Sequence, residues 1–420
     1  MGAGARRKCP ARAPGAGLNG SVLDAADASL VARCREGLVV TRAHFNHAGA
    51  SLVPAEALER MLTHLRLEAE IGGYEAAAQV ADELGAVPAG VAPLFGPAVD
   101  GGDVTIVESA SRASEQMVWA MAETFGWGRG DRVLVDQFTY ATVHATLMVL
   151  RAARGVIVDV APARTDGTVD PDQLSAALDD RTRLVAITHV PTHVGTVTDV
   201  HAVGRVLADH DAIYALDVAQ SLGQLPLDGE AIGCQIAVAP GRKLLRAPRG
   251  TGALYVEAGL AGRVVPLTPA IGAVGVAGDP PFDLAVGARR FDTFEADLAG
   301  RLGLGVSARI ATEVGLATIA RLVRDRSADV IALLGAVDGV RLLDANAVGI
   351  VSFVHDRLDP DEIRARLGAD GVNVWVNPAG GSPVDGARRA VLPSVRVSPH
   401  YLTDDEDLER LGRALTRLDG

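Results

Sequence analysis

Of the 40 basic residues in this 420-residue chain, two are lysines, Lys8 and Lys243, and the other 38 are arginines. Arginine does not usefully give up its proton, whereas a lysine taken out of water can become a neutral amine nucleophile. Lys243 stands in the glycine-flanked turn Pro240-Gly241-Arg242-Lys243, followed by Pro248-Arg249-Gly250-Thr251-Gly252. Amine chemistry is the first expectation, with Arg242 beside it as a cation able to pair with phosphate. Asp217 lies 26 positions earlier, at the end of the apolar run 212–216 and three before Gln220; an ionised carboxylate there suits a cationic ring nitrogen. The stretch Glu108-Ser109-Ala110-Ser111-Arg112 stands between an expected strand and helix, where first-turn N–H groups form a phosphate cradle. Arg396, in Ser394-Val395-Arg396-Val397, offers a planar fork for a carboxylate. Taken singly, these residues have ordinary alternatives: a serine N-cap, an aspartate capping a turn, a surface arginine. Together and in this order they make a specific set.

The elements that must position them alternate. Strands are predicted over 103–108, 132–136, 155–160, 184–188 and 212–217, with helices over 55–72, 112–125, 141–153, 171–178 and 200–210. Short apolar strands separated by helices describe a mostly parallel α/β sheet covered on both faces, with ligands beyond the carboxyl ends of the strands. Near Gly287 the character changes to helices, over 302–325 and 359–368, with a few strands such as 349–355. The expected division is a 1–22 tail, a large domain over 23–287 and a smaller C-terminal domain over 288–420. Met117, Trp119 and Met121 read as core, and Gly272 to Gly278 as a loop.

Composition removes other classes. A net charge of −12 argues against tracking nucleic-acid phosphates, and no run approaches the ~18 apolar residues of a membrane-spanning helix. The Gly-, Ala- and Arg-containing segment 1–22 lacks the apolar centre of a secretory signal and reads as a disordered tail. Cys9, Cys34 and Cys234 form no Cys-x-x-Cys pair, which fits a cytoplasmic protein and argues against structural zinc. His189 and His193 have the i, i+4 spacing of a helical metal site, but Pro191 between them argues against a helix. No metal is expected, and His193 instead reads as a border residue of the pocket.

On these residues the chain resembles the class V aminotransferase family of fold-type I pyridoxal-phosphate enzymes, which includes cysteine desulfurases, isopenicillin N epimerase-like proteins and C–S lyases. The similarity runs from about Phe45 to Leu418. It is carried by Asn46 to Gly49 with Gly72-Gly73-Tyr74, by Asp217 and Gln220, by Gly241-Arg242-Lys243 with Pro248-Arg249-Gly250-Thr251-Gly252, and by Arg396 with Ser398-Pro399-His400-Tyr401. The resemblance implies that Lys243 bonds the cofactor aldehyde and that Asp217 keeps the pyridine nitrogen protonated, an electron sink. It implies Gln220 and Thr192 near the ring hydroxyl, Tyr140 stacked on the ring, and Ala110, Ser111 and Arg242 at the phosphate. It places Arg396 on the substrate carboxylate and predicts a homodimer acting on a small amino acid.

The departures bear on the reaction. Pro240 replaces the Ser or Thr usual three positions before the lysine, and Thr192 replaces a common Asn. The 372–384 stretch, where desulfurases carry a thiolate on a mobile loop, reads VNVWVNPAGGSPV and has no cysteine. The expectation is therefore a C–S lyase, eliminating a thiol from an S-substituted cysteine in a natural-product pathway, and not a desulfurase. Decarboxylation with deamination, transamination and epimerisation stay open, as does a non-catalytic scaffold on the same fold.

Overall fold

The structure, a computed structural model, describes residues 23–275, 283–344 and 346–418. The expected 1–22 tail and the second half of the 272–278 loop lie outside the described residues. The first half is a short turn leading into residues Val274–Gly275, which pair with Asp283–Leu284.

Seven strands make the central sheet: β1 (Val104–Val107), β2 (Arg132–Val135), β3 (Ile157–Val160), β4 (Thr182–Thr188), β5 (Ile213–Asp217), β6 (Ile236–Pro240) and β7 (Gly252–Val256). Their order is β1-β7-β6-β5-β4-β2-β3. Every pair from β6 to β3 is parallel, and β7 alone runs against its neighbours. β6 shows why the sheet is buried on both sides. Ile236 and Val238 join the cluster under helices Ala110–Thr124 and Ala141–Arg154, while Ala237 and Ala239 face the opposite cluster. Successive residues of a strand point to opposite faces. Met117 and Met121 are buried in the first of these clusters and Trp119 packs against it.

A second sheet, β8 (Val340–Leu342), β9 (Val351–His355), β10 (Trp375–Asn377) and β11 (Ser394–Val397), is antiparallel in the order β8-β9-β11-β10. Helices Pro360–Ala369 and Asp405–Leu415 cover it. The cores do not part at 287. Leu304, Ala308 and Ala311, from helix Leu298–Val314, join the large-sheet core, whereas Ala43 and Phe45 join that of the small sheet.

Several sequence expectations shift. The single helix over 302–325 is two, Leu298–Val314 and Leu316–Gly335, bent by 82°. Gly315 sits between them at φ +86°, a conformation glycine adopts without steric cost. β6 and β7 were not expected: five residues each, buried on both faces and bounded by Gly or Pro, they carry no alternation. The loop expected over 372–384 contains Val372–Asn373, paired with Ala43–His44, then β10 and the start of helix Pro383–Arg389.

Candidate active site

Six strands of the sheet run in one direction and end on one side of it, and the predicted residues meet beyond those ends. Ala110, Ser111, Tyr140, Thr192, Asp217, Gln220, Arg242, Lys243 and Arg396 all line one cavity of about 450 Å³. That volume lies in the range of small-molecule sites.

Asp217 ends β5 and Lys243 follows the next strand, β6, so two neighbouring strands deliver a carboxylate and an amine to the same floor. Gly241 makes the turn between β6 and Lys243 possible, since a Cβ there would meet Ala247 Cβ at 2.8 Å. Asp217 does also cap its turn, accepting from Ala219 N–H at 2.9 Å. Burial raises the Asp217 carboxyl above its ordinary value, against the pull of Lys243 and that N–H. Burial likewise pushes the Lys243 ammonium down to about 7; Asp217 opposes this, and Arg242 and Arg396 add to it. A lysine with that value is largely an unprotonated amine just above neutrality, the form that attacks an aldehyde.

Arg396, in the central strand of the small sheet, is not a surface residue: it is 3% exposed. It donates to Thr192 O at 2.7 Å and to Asn46 Oδ1 at 3.1 Å, and no carboxylate pairs with it among the described residues. Burial and Arg242 push it down to about 9, still a cation at neutral pH. Gln220 donates to Ala48 O at 3.1 Å and to Thr192 Oγ1 at 3.2 Å. Gln220 Oε1 and Arg396 Nε are buried and have no hydrogen-bond partner among the described residues. Buried polar groups of this kind are rarely left unmatched, so both point to a polar ligand.

At the opposite wall Ser109 is the N-cap of Ala110–Thr124, accepting from Arg112 N–H at 3.2 Å. The first-turn N–H groups of Ala110 and Ser111 then face the cavity beside Arg242, whose guanidinium donates to Gly49 O. Pro240 lines the cavity without a hydroxyl, and the nearby Thr251 hydroxyl is committed to Pro248 O at 2.7 Å. Tyr140 caps the start of Ala141–Arg154 and is 39% exposed.

Cavity residues that were not anticipated as site residues include Ser114, Phe138, Val143 and Thr188. Neither was Asp136, buried just below, which accepts from Thr188 N–H at 2.7 Å and from the Thr139 hydroxyl at 2.9 Å. Burial raises it to about 7, and its nearness to Asp217 adds to the shift. Its position at the end of β2 was the available signal. His193 does not border the cavity: its Nε2 lies 2.6 Å from Asp385 Oδ2, pointing away from the floor. Tyr74, one of the residues carrying the resemblance, is 80% exposed and outside the cavity.

The Aminotransferase class-V profile matches residues 43–411. The chain belongs to that family. A probable cysteine desulfurase of Methanothermobacter thermautotrophicus is 30% identical over 298 residues, which span 70% of this chain and 74% of the relative. The apo cysteine desulfurase of Thermococcus onnurineus NA1 superposes with a TM-score of 0.79 at 20% identity, covering 89% of this chain and 94% of that one. The cystine C–S lyase C-DES, solved with its product cysteine persulfide, gives 0.78 at 22% identity over 89% and 97%. These superpositions show the fold-type I architecture. As a class-V aminotransferase family member, the protein is a pyridoxal-phosphate-dependent enzyme, and the residues present fit that cofactor. The lysine, the strand-end carboxylate, the helix N-terminus with a cation, Gln220 and Arg396 all line one space of suitable volume.

Proposed function

We propose that this protein is a C–S lyase that releases a thiol, pyruvate and ammonia from an S-substituted cysteine and water, within a natural-product pathway. Lys243 would bond the cofactor, with Asp217 at the ring nitrogen, Gln220 and Thr192 near the ring hydroxyl, Tyr140 on the ring face, and Ala110, Ser111 and Arg242 at the phosphate. When bound, pyridoxal phosphate draws electrons away from the substrate Cα.

The remaining chemistry falls to the chain's own groups. Arg396 is a buried cation that lines the cavity, and it would hold the substrate carboxylate. With the cofactor held by the residues named above, Lys243 would be the group that takes the Cα proton, a task its lowered pKa of about 7 suits. Carboxylate grip and base would fix the Cα–H bond between them, and Tyr140 and Trp375 line the same cavity.

The observation that carries this reading over desulfuration is the absence of a thiol from the cavity. No cysteine lines it among the described residues. Cys34 lies in a separate surface pocket beside Pro54 and Arg246, and burial raises its thiol. Cys234 is buried, and its thiol is pushed up to about 12. Neither is a thiolate placed to accept sulfur. A two-fold dimer belongs to the same proposal. Leu58, Leu65 and Tyr74 stand exposed on the paired helices Ala55–Ile71 and Gly73–Gln79, available for burial against a second copy.

The test is incubation of the holoenzyme with a panel of cysteine S-conjugates and free amino acids, measuring thiol, pyruvate, keto acid and carbon dioxide in parallel. Thiol and pyruvate in equal amounts are expected. Carbon dioxide or a keto-acid co-product without thiol would overturn elimination, and light scattering of an active 43.4 kDa monomer would overturn the dimer.

A further inference from the structure

Beyond the cavity floor, the largest concentration of buried polar contacts unused by the chemistry surrounds Asp385. This carboxylate is fully buried on helix Pro383–Arg389, directly after the segment that carries Trp375 past the cavity mouth. Its Oδ1 accepts from Gln137 Nε2 at 2.7 Å and from Arg389 Nε at 2.6 Å. Its Oδ2 accepts from Arg389 Nη2 at 2.8 Å and lies 2.6 Å from His193 Nε2. A carboxylate accepts only, so His193 carries its proton on Nε2, and Nδ1 is left to face the Ser382 hydroxyl at 2.9 Å. Burial alone would raise the Asp385 carboxyl, but the bonds from His193 and Arg389 bring it below its ordinary value.

The contacts join two parts of the molecule. Gln137 and Phe138 follow β2, Asp166 follows β3 and His193 follows β4, all of the large sheet. Asn377, Ser382, Asp385 and Arg389 belong to the segment leaving the small sheet. Asn377 Nδ2 donates to His193 O at 3.3 Å, Arg389 Nη1 donates to Asp166 O at 3.2 Å, and Ala141 N–H donates to Gly381 O at 3.3 Å. Phe138 is gripped as well, with Arg389 over its ring at 5.3 Å and His193 edge-on at 5.9 Å. The opposite side of the same Phe138 lines the cavity beside Tyr140.

We propose that Asp385 and His193 form a latch that ties residues 377–389 to the large sheet, that this tie fixes the cavity wall made by Trp375 and Phe138, and that this wall sets which S-substituents the site accepts. Both are positioning residues, since neither touches the cavity. A buried carboxylate is stable only while its oxygens are bonded, so the segment cannot swing out without stripping Asp385 of Gln137 and His193. The segment is tied to the large sheet at Asn377, at Gly381 and again at Asp385 and Arg389. The selectivity half of the proposal rests on the C–S lyase reading; the latch itself does not.

The experiment uses holoenzyme in wild-type form and as Asp385→Ala, with Arg389→Gln as the milder variant at a partly buried position. Hydrogen exchange without substrate should rise at least tenfold across 377–392 in Asp385→Ala and leave 236–246 unchanged. Unchanged exchange in 377–392 in both variants would overturn the latch. For S-alkyl cysteines from S-methyl to S-benzyl, the spread of kcat/KM between best and worst should shrink at least tenfold, with kcat for the best substrate within about threefold. A uniform fall in kcat across the series would make the network merely structural. If wild type turns over no conjugate, the C–S lyase reading fails alone. The same series is then scored by the dissociation constants read from the cofactor absorbance, where an unchanged spread overturns the wall. If Asp385→Ala does not fold, the Arg389→Gln data decide with the same signs at smaller amplitude.

Discussion

The floor and the outer wall of the cavity are built in different ways. The floor is local: Asp217 and Lys243 end or follow adjacent parallel strands, so the sheet itself delivers them. The wall is long-range: His193 and Asp385 are 192 positions apart, and Gln137 and Asp385 are 248. Backbone ladders place the floor, whereas side-chain bonds across the two sheets place the wall. Relatives can therefore share the floor while differing in the wall, which under the proposed function would meet the variable part of a substrate. The 30% identity to a probable desulfurase is compatible with a different sulfur chemistry on these terms.

The sharpest way to separate floor from wall is to remove floor residues one at a time. Lys243→Ala should lower turnover by roughly 10³-fold or more, since both cofactor bond and base are lost, and borohydride reduction should no longer label the peptide containing position 243. Label found at Lys8 in the wild type would break the assignment. Asp217→Ala removes one partner of a buried charge pair, worth about 3–5 kcal/mol, so kcat should fall on the order of 10²–10³-fold. Wild-type turnover there would remove Asp217 from the floor.

Arg396→Gln takes away a charged hydrogen-bond donor worth about 1.5–3 kcal/mol, and KM should rise roughly 10–100-fold with a smaller change in kcat. A change in kcat alone would move Arg396 from grip to chemistry. Capture of pyridoxal phosphate by apoprotein, followed by absorbance, should accelerate with pH to a midpoint near 7, against 10.5 for an ordinary lysine. A midpoint near 10 would mean that the floor does not desolvate the amine.

The smallest effect is at Asp136. Its folded carboxyl keeps a proton up to about 7, against 3.8 ordinarily, so its contribution to stability is fully present below 3.8 and is lost as pH rises through about 7. Asp136→Asn should flatten that decline, seen as urea midpoints that converge with wild type in acid and exceed it at pH 8.

Legibility followed the same divide. Lys243, Asp217 and the serine-rich turn before Ala110–Thr124 could be found because glycine, strand ends and helix starts mark them within a few residues. For Arg396 the residue type suggested a carboxylate fork, but nothing local distinguishes a buried arginine from an exposed one. β6 and β7 escaped because short strands buried on both faces lose the period of two. The 372–384 segment looked like a loop because its order comes from Asp385 and Asn377 bonding residues nearly 200 positions away, which no local pattern encodes.

The buried position of Lys243 also turns the protein into its own occupancy gauge. Amine-acylating reagents find two lysine side chains in the whole sequence, one in the 1–22 segment and one at the cavity floor. Lys8 then reports reagent dose and Lys243 reports whether the floor is free. With Lys243 in its proposed role, the ratio of the two labels would measure the fraction of molecules carrying cofactor, with no chromophore and no need to know the protein concentration.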